Sequence, residues 1–365
     1  MMERRHAYIA LNMMEGIGPI KTRALIEALG SPEAVFTAVE SDLTPIRGIG
    51  PALARSICEQ QGKLDPIGEE NRARKLGIRL ITDCDEGYPD CLRKMHDPPL
   101  ALYVLGDLLP KDRHAIAVVG SRQCTHYGLQ VADRLSYQLA QTGFTIVSGL
   151  ARGIDQAAHA GALKGRGRTL AIIGSALDRL YPPEADKLAE KIAGNGAVVS
   201  EFPLGREADR TTFPYRNRII AGLSMGVLVV EASRKSGALM TADAAIDQGK
   251  SVFAVPGRID APSAGGSNAL LKQGAKLVDD LRDIVEEFEY LFTMEASDSR
   301  RDSPKIELKP EEQKIVSALT GDEKDIDALS RETGLKSSRL SVLLLGLEMK
   351  RVIKMLPGKR VALNL

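Results

Sequence analysis

The stretch AIAVVGSRQCTHYGLQVADRLSYQLAQTGFTIVSGLARG, residues 115–153, sets the architecture of the chain. An apolar, β-branched run (Ala115 to Val119) breaks at Gly120-Ser121-Arg122, a helical stretch follows, and a second run (Phe144 to Ser148) breaks at Gly149-Leu150-Ala151-Arg152-Gly153. Short apolar runs without polar alternation are strands buried on both faces, and a helix between them makes the right-handed crossover of a parallel sheet. The pattern recurs outward at TLAII (169–173), AVVS (197–200), VLVVE (227–231) and SVFAV (251–255). An α/β fold is predicted: an extended Rossmann-like, doubly wound, mostly parallel sheet. The Pro-containing stretch from Gly77 to Leu105, with IRLIT and LALYVL, extends it.

The turns after the first strands carry the chemistry. Gly120-Ser121-Arg122, then Gly149 to Asp155, then Gly174-Ser175-Ala176-Leu177-Asp178 each place small residues beside a polar or cationic side chain where a helix begins. Glycine admits close approach, and free amides at a helix start favour an anion, so the carboxyl edge of the sheet is expected to hold an anion pocket with Ser121, Arg122, Gly149 and Arg152. Between Gly205 and Arg218 four arginines outnumber two acids, with Phe213 and Tyr215 among them. Arg210, Arg216 and Arg218 can hold phosphates while an aromatic ring stacks on an unpaired base, a contact worth ~1–3 kcal/mol that suits single strands rather than duplex. The competing reading makes Phe213 and Tyr215 core residues and Asn217 a helix cap. Glu231 could be a catalytic acid, but a carboxylate at a strand end more often receives hydrogen bonds, and Asp155 and His159 are read likewise as capping or core groups.

The flanks differ in composition. Gly16-Ile17-Gly18-Pro19 and Gly48-Ile49-Gly50-Pro51 each precede a helix, the helix-hairpin-helix pattern, with Lys21, Arg23 and Arg55 placed to assist a phosphate; a plain helical bundle is the alternative. Residues 1–75 are therefore read as a helical, SAM-like module, 76–290 as the Rossmann-like domain and the polar stretch 291–308 as a linker. Residues 309–365 show three helical segments and a hairpin tipped by Pro357-Gly358, the plan of a winged helix. Its third helix carries Leu340, Val342, Leu343, Leu344, Leu345 and Leu347, expected to form a protein contact rather than to read bases.

With 44% hydrophobic and 27% charged residues, the 365-residue chain has ordinary globular composition. Its net charge of +1 means that any nucleic-acid binding must come from a local patch. Cys58, Cys84, Cys91 and Cys124 form no C-x-x-C pair, so neither metal nor other cofactor is expected. No apolar run reaches the ~18 residues of a membrane span and the start lacks a signal-peptide pattern, which predicts a cytoplasmic protein.

Taken in order, GSR…YG, SGLARGIDQAAH, SEFPLG, FPYRNRIIAGLS, VVEA…SGALMTA, FAVPG and GGSNALLKQGAKLV closely resemble the DNA-processing protein A family (DprA/Smf), from about Gly77 to Val278. The resemblance implies a non-enzymatic protein that binds and protects single-stranded DNA and loads the recombinase RecA onto it during natural transformation. It also implies a homodimer formed through the Rossmann-like domain, with the stretch around Asn268 to Leu271 as part of that surface. Carried over by motif, the DNA-binding residues are Ser121, Arg122, Arg210, Phe213 and Lys250, with Arg152, Arg216 and Arg218 in support; Gly149 and Asn217 are counted among the expected DNA-binding residues as well. Ala176 departs from the glycine expected in the third turn, and Arg210 stands where a lysine can occur. The rival reading is a nucleotide phosphoribohydrolase on the same scaffold, with Glu231 as acid and Arg122 on the phosphate.

Overall fold

The apolar runs become strands. The computed structural model describes residues 2–288, 310–319, 324–335 and, beyond these, 337, 340, 343–344, 347, 352–356 and 360–363. IRLIT and LALYVL supply β1 (Arg79–Thr82) and β2 (Ala101–Gly106); the later runs supply β3 (Ala115–Val119), β4 (Thr145–Ser148), β5 (Thr169–Ile172), β6 (Ala197–Ser200), β7 (Gly226–Val229) and β8 (Ser251–Ala254), with a short β9 (Lys276–Leu277). The nine-stranded sheet has the order β1-β2-β6-β5-β4-β3-β7-β8-β9. Its β1–β2 and β2–β6 pairs are antiparallel, and the remaining neighbours run parallel. Because β3 has β4 on one side and β7 on the other, the winding reverses there, and a crevice opens at the carboxyl ends of β3 and β7.

The N-terminal segment folds as α1 (Arg4–Met13), α2 (Pro19–Leu29), α3 (Glu40–Leu43), α4 (Pro51–Gln61) and α5 (Pro66–Lys75). Gly18 and Gly50 are the N-caps of α2 and α4, each followed by a proline whose missing N–H costs nothing at a helix start. Gly16 and Gly48, at φ of +82° and +84°, make the hairpin turns that side chains resist. Leu11, Leu25, Val35, Leu43 and Ile57 fill a core between these helices. The hairpins' basic residues have partners within the protein: Lys21 Nζ donates to the Gly16 carbonyl (3.1 Å), Arg23 to the Met95 carbonyl (3.4 Å), and Arg55 forms an ion pair with Glu40 (3.6 Å). This bundle is fastened to the sheet by Glu69, 1% exposed, which accepts hydrogen bonds from Tyr103 Oη (2.9 Å) and the Leu204 amide (2.8 Å). Met1–Glu289 consequently form one compact unit.

After α6 (Asp90–Arg93), the crossovers are α7 (His126–Gln141), α8 (Ile154–Lys164), α9 (Asp186–Ala193), α10 (Thr212–Leu223), α11 (Ala238–Asp247) and α12 (Gly265–Lys272). The period of two along the strands divides the core. Ala115, Ala117 and Val119 of β3 pack with Ile219 and Ile220 of α10 and with Ala242 and Ala245 of α11. On the other face Ala171 of β5 and Val198 of β6 meet Ala189 and Ile192 of α9. Leu270 belongs to the first of these cores, 4% exposed, and the Asn268 amide bonds both the N–H (3.0 Å) and the carbonyl (2.9 Å) of Gly257. Within the stretch expected to take part in self-association, Leu270 packs into the core, while Asn268, Ala269 and Leu271 are half-buried.

Tyr290–Leu365 form a second unit with α13 (Pro310–Ala318), β10 (Lys324–Asp325), α14 (Ile326–Thr333), β11 (Ile353–Leu356) and β12 (Arg360–Leu363), the strands ordered β10-β12-β11. Leu340, Leu343, Leu344 and Leu347 are buried against Ile315, Leu319, Leu329, Ile353 and Val361. These four leucines are therefore part of the module's core, which corrects the expected protein contact for them. The side chains of Val342 and Leu345, the Pro357-Gly358 tip and the stretch 291–308 lie outside the described residues. No helix among the described residues is long and apolar enough to cross a membrane.

His159 on α8 is fully buried, with Nδ1 2.6 Å from Thr169 Oγ1. That hydroxyl spends its one proton on the Ile146 carbonyl (2.8 Å), so His159 Nδ1 must carry the hydrogen, and Nε2 is bare and unpartnered. Burial, seconded by the charge of Arg216, pushes its pKa down to about 3. Between that value and the ordinary ~6.5 the unfolded chain binds the extra proton, so His159's contribution to stability is complete above ~6.5 and falls by up to ~1.4 kcal/mol per pH unit below it. Urea unfolding is expected to show wild type losing about 2 kcal/mol more than His159→Asn between pH 7 and pH 5, since the asparagine amide can donate to Thr169 without titrating. Equal losses would contradict this assignment.

Candidate functional site

The crevice is built by three turns drawn tightly together. A Cβ on Gly120 would meet Ile154 Cγ1 at 2.5 Å, and one on Gly128 would meet Glu231 Oε2 at 2.3 Å, so both positions exclude any side chain. Glu231, at the end of the β7 run and 5% exposed, accepts from Thr125 Oγ1 (2.6 Å) and the Thr125 amide (3.1 Å), while its carbonyl accepts from the Ser121 amide (2.7 Å). Thr125 in turn caps α7 through the Gly128 amide (3.1 Å). Glu231 is thus a strut between β7 and the β3 turn, consistent with a carboxylate that receives hydrogen bonds.

The floor is a buried guanidinium. Arg216, 7% exposed, donates from Nη2 to the Gly149 carbonyl (2.6 Å) and from Nη1 to Asn217 Oδ1 (2.7 Å), and Nη2 lies 3.7 Å from Asp155. Asp155 accepts from the amides of Gly149 (3.2 Å) and Ala151 (3.4 Å), bracing Leu150 at φ +58°, a left-handed conformation that costs a leucine about 1–2 kcal/mol. Asn217 Nδ2 donates to the Gly237 carbonyl (3.3 Å) at the start of α11. One atom of the floor is unsatisfied: Arg216 Nε has no hydrogen-bond partner.

Two cavities open above this floor. The larger, about 390 Å³, is lined by Ser121, Arg122, Phe213, Arg216, Asn217 and the α11 start at Ser236-Gly237-Ala238. The other, about 200 Å³, includes Gly149, Arg152, Gly174, Tyr181 and Pro182, and Arg122 and Phe213 border both. Arg122 is exposed, and its guanidinium carbon lies over the Phe213 ring, 4.5 Å from the centroid. The stacking holds the cation without neutralising it. Burial pushes the pKa of Arg216 down; Asp155 opposes this, and the like charge of Arg122 adds to it. Two guanidinium groups facing one crevice repel, and an anion between them relieves the repulsion. An arrangement of this kind can accommodate an anion.

Ser121, Arg122, Gly149, Arg152, Phe213, Arg216 and Asn217 are brought together here. Arg152 also pairs with Glu184. Arg210 is exposed just ahead of α10 and lines neither cavity. Arg218 turns away into a buried ion pair with Glu201 and a bond to the Asp97 carbonyl (2.6 Å). Lys250 precedes β8, at the amino edge of the sheet, and donates to the carbonyls of Ala221 (2.7 Å) and Gly222 (2.6 Å) at the end of α10. The structure therefore does not place Arg218 or Lys250 at the crevice: each satisfies buried acceptors elsewhere. In the third turn the Ala176 amide donates to the Arg206 carbonyl (2.8 Å), leaving Gly174 as that turn's contribution. Tyr181 and the Ser236-Gly237-Ala238 start also line the cavities without being among the expected site residues, although Ser-Gly ahead of a helix after a buried strand is the signal that marks the other turns.

Family models match three segments: DNA recombination-mediator protein A over residues 79–289, a DprA winged helix domain over 299–359 and a SAM-like helix-hairpin-helix tandem over 8–62. The chain is 37% identical to Protein Smf of Synechocystis over 275 residues, 74% of this chain and 69% of that protein. It is similar to the solved DNA processing protein A of Streptococcus pneumoniae at a TM-score of 0.69 and 32% identity, covering 79% of this chain and 99% of the other. It also matches the DNA processing protein A of Helicobacter pylori, a structure reported for its single-stranded DNA binding mode, at a TM-score of 0.52 and 31% identity over 58% of this chain and 96% of that one.

The Gly149–Arg216 contact is the tightest in the site: a Cβ on Gly149 would lie 1.7 Å from Arg216 Nη2. Gly149→Ala is expected to expel the guanidinium and cost about 2–4 kcal/mol in urea unfolding, the sum of overpacking and a lost charged hydrogen bond. A cost under about 1 kcal/mol would mean that the floor is not rigid.

Proposed function

The chain belongs to the DNA recombination-mediator protein A family, and from that premise we propose that it binds single-stranded DNA at the crevice between β3 and β7, protects it and delivers it to the recombinase RecA in natural transformation and recombination. The observation that carries the reading is the pair of guanidinium groups: Arg122, exposed and stacked on Phe213, above Arg216, buried with its Nε unpartnered. A phosphate between them gains charge-assisted hydrogen bonds that water gives only weakly at a half-enclosed site. The single-stranded DNA binding mode reported for the Helicobacter pylori relative supports the same ligand. Net charge is only +1, so the attraction is local and duplex DNA, whose bases are stacked away, gains little.

The protein acts in this reading as a homodimer through the Rossmann-like domain, and by binding and delivery without a covalent step. What weighs against the hydrolase alternative is that Glu231 accepts hydrogen bonds from the Thr125 hydroxyl and amide, a structural engagement. His159 is sealed in the core, and Asp155 accepts from the Gly149 and Ala151 amides, which supports structural roles for both.

Fluorescence anisotropy of labelled single-stranded and duplex oligonucleotides across a salt series is expected to show preference for the single strand. Arg122→Ala should weaken it about tenfold or more and reduce the slope of log affinity against log salt by about 0.7, one phosphate contact. Binding that ignores strandedness, or a slope unchanged by Arg122→Ala, would overturn the assignment. In light scattering the free protein is expected at the mass of two chains, and a monomer at micromolar concentration would remove the dimer from the reading.

A further inference from the structure

A larger opening lies outside the crevice. A groove of about 980 Å³ is lined by Ile17 and Ile20 of the first hairpin, by Phe202 and Leu204 after β6 and by Tyr215 of α10. Phe213, Arg216 and Asn217, which line the crevice, take no part in it. The volume stands at the top of the ~300–1,000 Å³ that ligand sites occupy. Ile20 and Tyr215 remain 57% and 52% exposed there, and apolar side chains gathered on an open groove mark a place where something docks.

The charge of the groove is opposite to that of the crevice. Asp97 and Glu201 line it as well, and one guanidinium serves both: Arg218 is paired with Glu201, and its Nε lies 3.2 Å from Asp97. Two carboxylates against one cation leave a negative charge over. Glu201 is 8% exposed, and among the described residues its Oε1 receives no hydrogen bond. The neighbouring Tyr88 hydroxyl does not supply one, because it donates to the Pro99 carbonyl (2.7 Å). Burial pushes the pKa of Glu201 up; Arg218 opposes this, and the like charge of Asp97 adds to it. A buried polar atom without a partner costs roughly 1–3 kcal/mol, more when charged, and an arriving cation removes that cost. The groove's own cations are engaged elsewhere: Lys21 donates to the Gly16 carbonyl, and Arg206 pairs with Asp209.

We propose that this groove docks a protein partner through a segment in which a lysine or arginine is flanked by apolar side chains. The cation sits on Asp97 and Glu201, and the apolar neighbours cover Ile17, Ile20 and Phe202. A DNA strand is the wrong occupant, since its phosphates would meet two carboxylates. A free small cation would leave the apolar lining uncovered. The inference goes beyond the single-stranded DNA reading and uses none of the crevice residues, so a docked partner and a bound strand are compatible.

The test uses the full chain and three fluorescein-labelled heptapeptides that share leucine and phenylalanine flanks and carry arginine, its neutral isostere citrulline, or glutamate at the centre. In fluorescence anisotropy the arginine peptide is expected to bind about tenfold or more tightly than the citrulline peptide, with the glutamate peptide weakest. The gap should narrow as salt is raised. Asp97→Asn should shrink it to about threefold or less. Ile20→Ser, at an exposed position, should weaken all three peptides alike and leave oligothymidine binding unchanged. If Asp97→Asn lowers the urea midpoint, Ile20→Ser and the peptide series decide the matter. The inference is overturned if the arginine peptide fails to bind at millimolar concentration, if citrulline serves as well as arginine, or if Ile20→Ser has no effect on the peptides. Displacement of the peptide by oligothymidine, or loss of oligothymidine binding in Ile20→Ser, would also overturn it and make the groove part of the DNA route.

Discussion

The site depends on one buried cation. Arg216 joins the β4 turn through the Gly149 carbonyl, the start of α8 through Asp155, and α10, on which it sits. Removing a partner from such a pair leaves a charge without compensation in a medium that solvates it poorly, at a cost of about 3–5 kcal/mol. The glycine at 149, the left-handed Leu150 and the buried Asp155 all follow from the need to bring acceptors to that guanidinium. So does the shape of the crevice, because Asn217 extends the network to the start of α11. The turn geometry and the positive floor are one construction.

The proposed anion binding is compatible with near-neutrality because of the way the charges are partnered. Arg5, Arg93, Arg168 and Arg218 pair with nearby carboxylates, and such pairs give little net field. Arg122 is spared this. It rests on an aromatic face, which orients a guanidinium while leaving its charge available. Arg216 has Asp155 at 3.7 Å, longer than its bonds to Gly149 and Asn217, so its neutralisation is partial as well. Two incompletely neutralised guanidinium groups thus meet where the sheet winding reverses.

The strand runs and the glycine turns were legible in the sequence because each is a local signal: β-branched residues in a row, or Gly-Ser-Arg ahead of a helix. AIAVV could only be a strand with both faces buried, and β3 is that strand. The fate of a basic side chain is not local. Arg122, Arg218 and Lys250 look alike in a sequence, but Glu201 and the Ala221 carbonyl claim the last two through space. The same holds for Phe213, whose free face is decided by a residue 91 positions earlier in the chain, and for Tyr181, which lies in a proline-containing loop with no basic run around it. The leucines of the third winged-helix segment misled for a related reason: in a small module, apolar residues that look surplus are the core itself.

Photo-cross-linking with an oligonucleotide carrying 5-iodouracil, followed by tryptic mapping, tests the central claim most directly, because it reports where bases lie without altering the protein. The account predicts cross-links in the peptides 180–187 and 211–216, which hold Tyr181 and Phe213. Cross-links confined to the helical module at 4–75 or to the winged-helix residues 310–363 would contradict it and move the DNA off the Rossmann-like crevice.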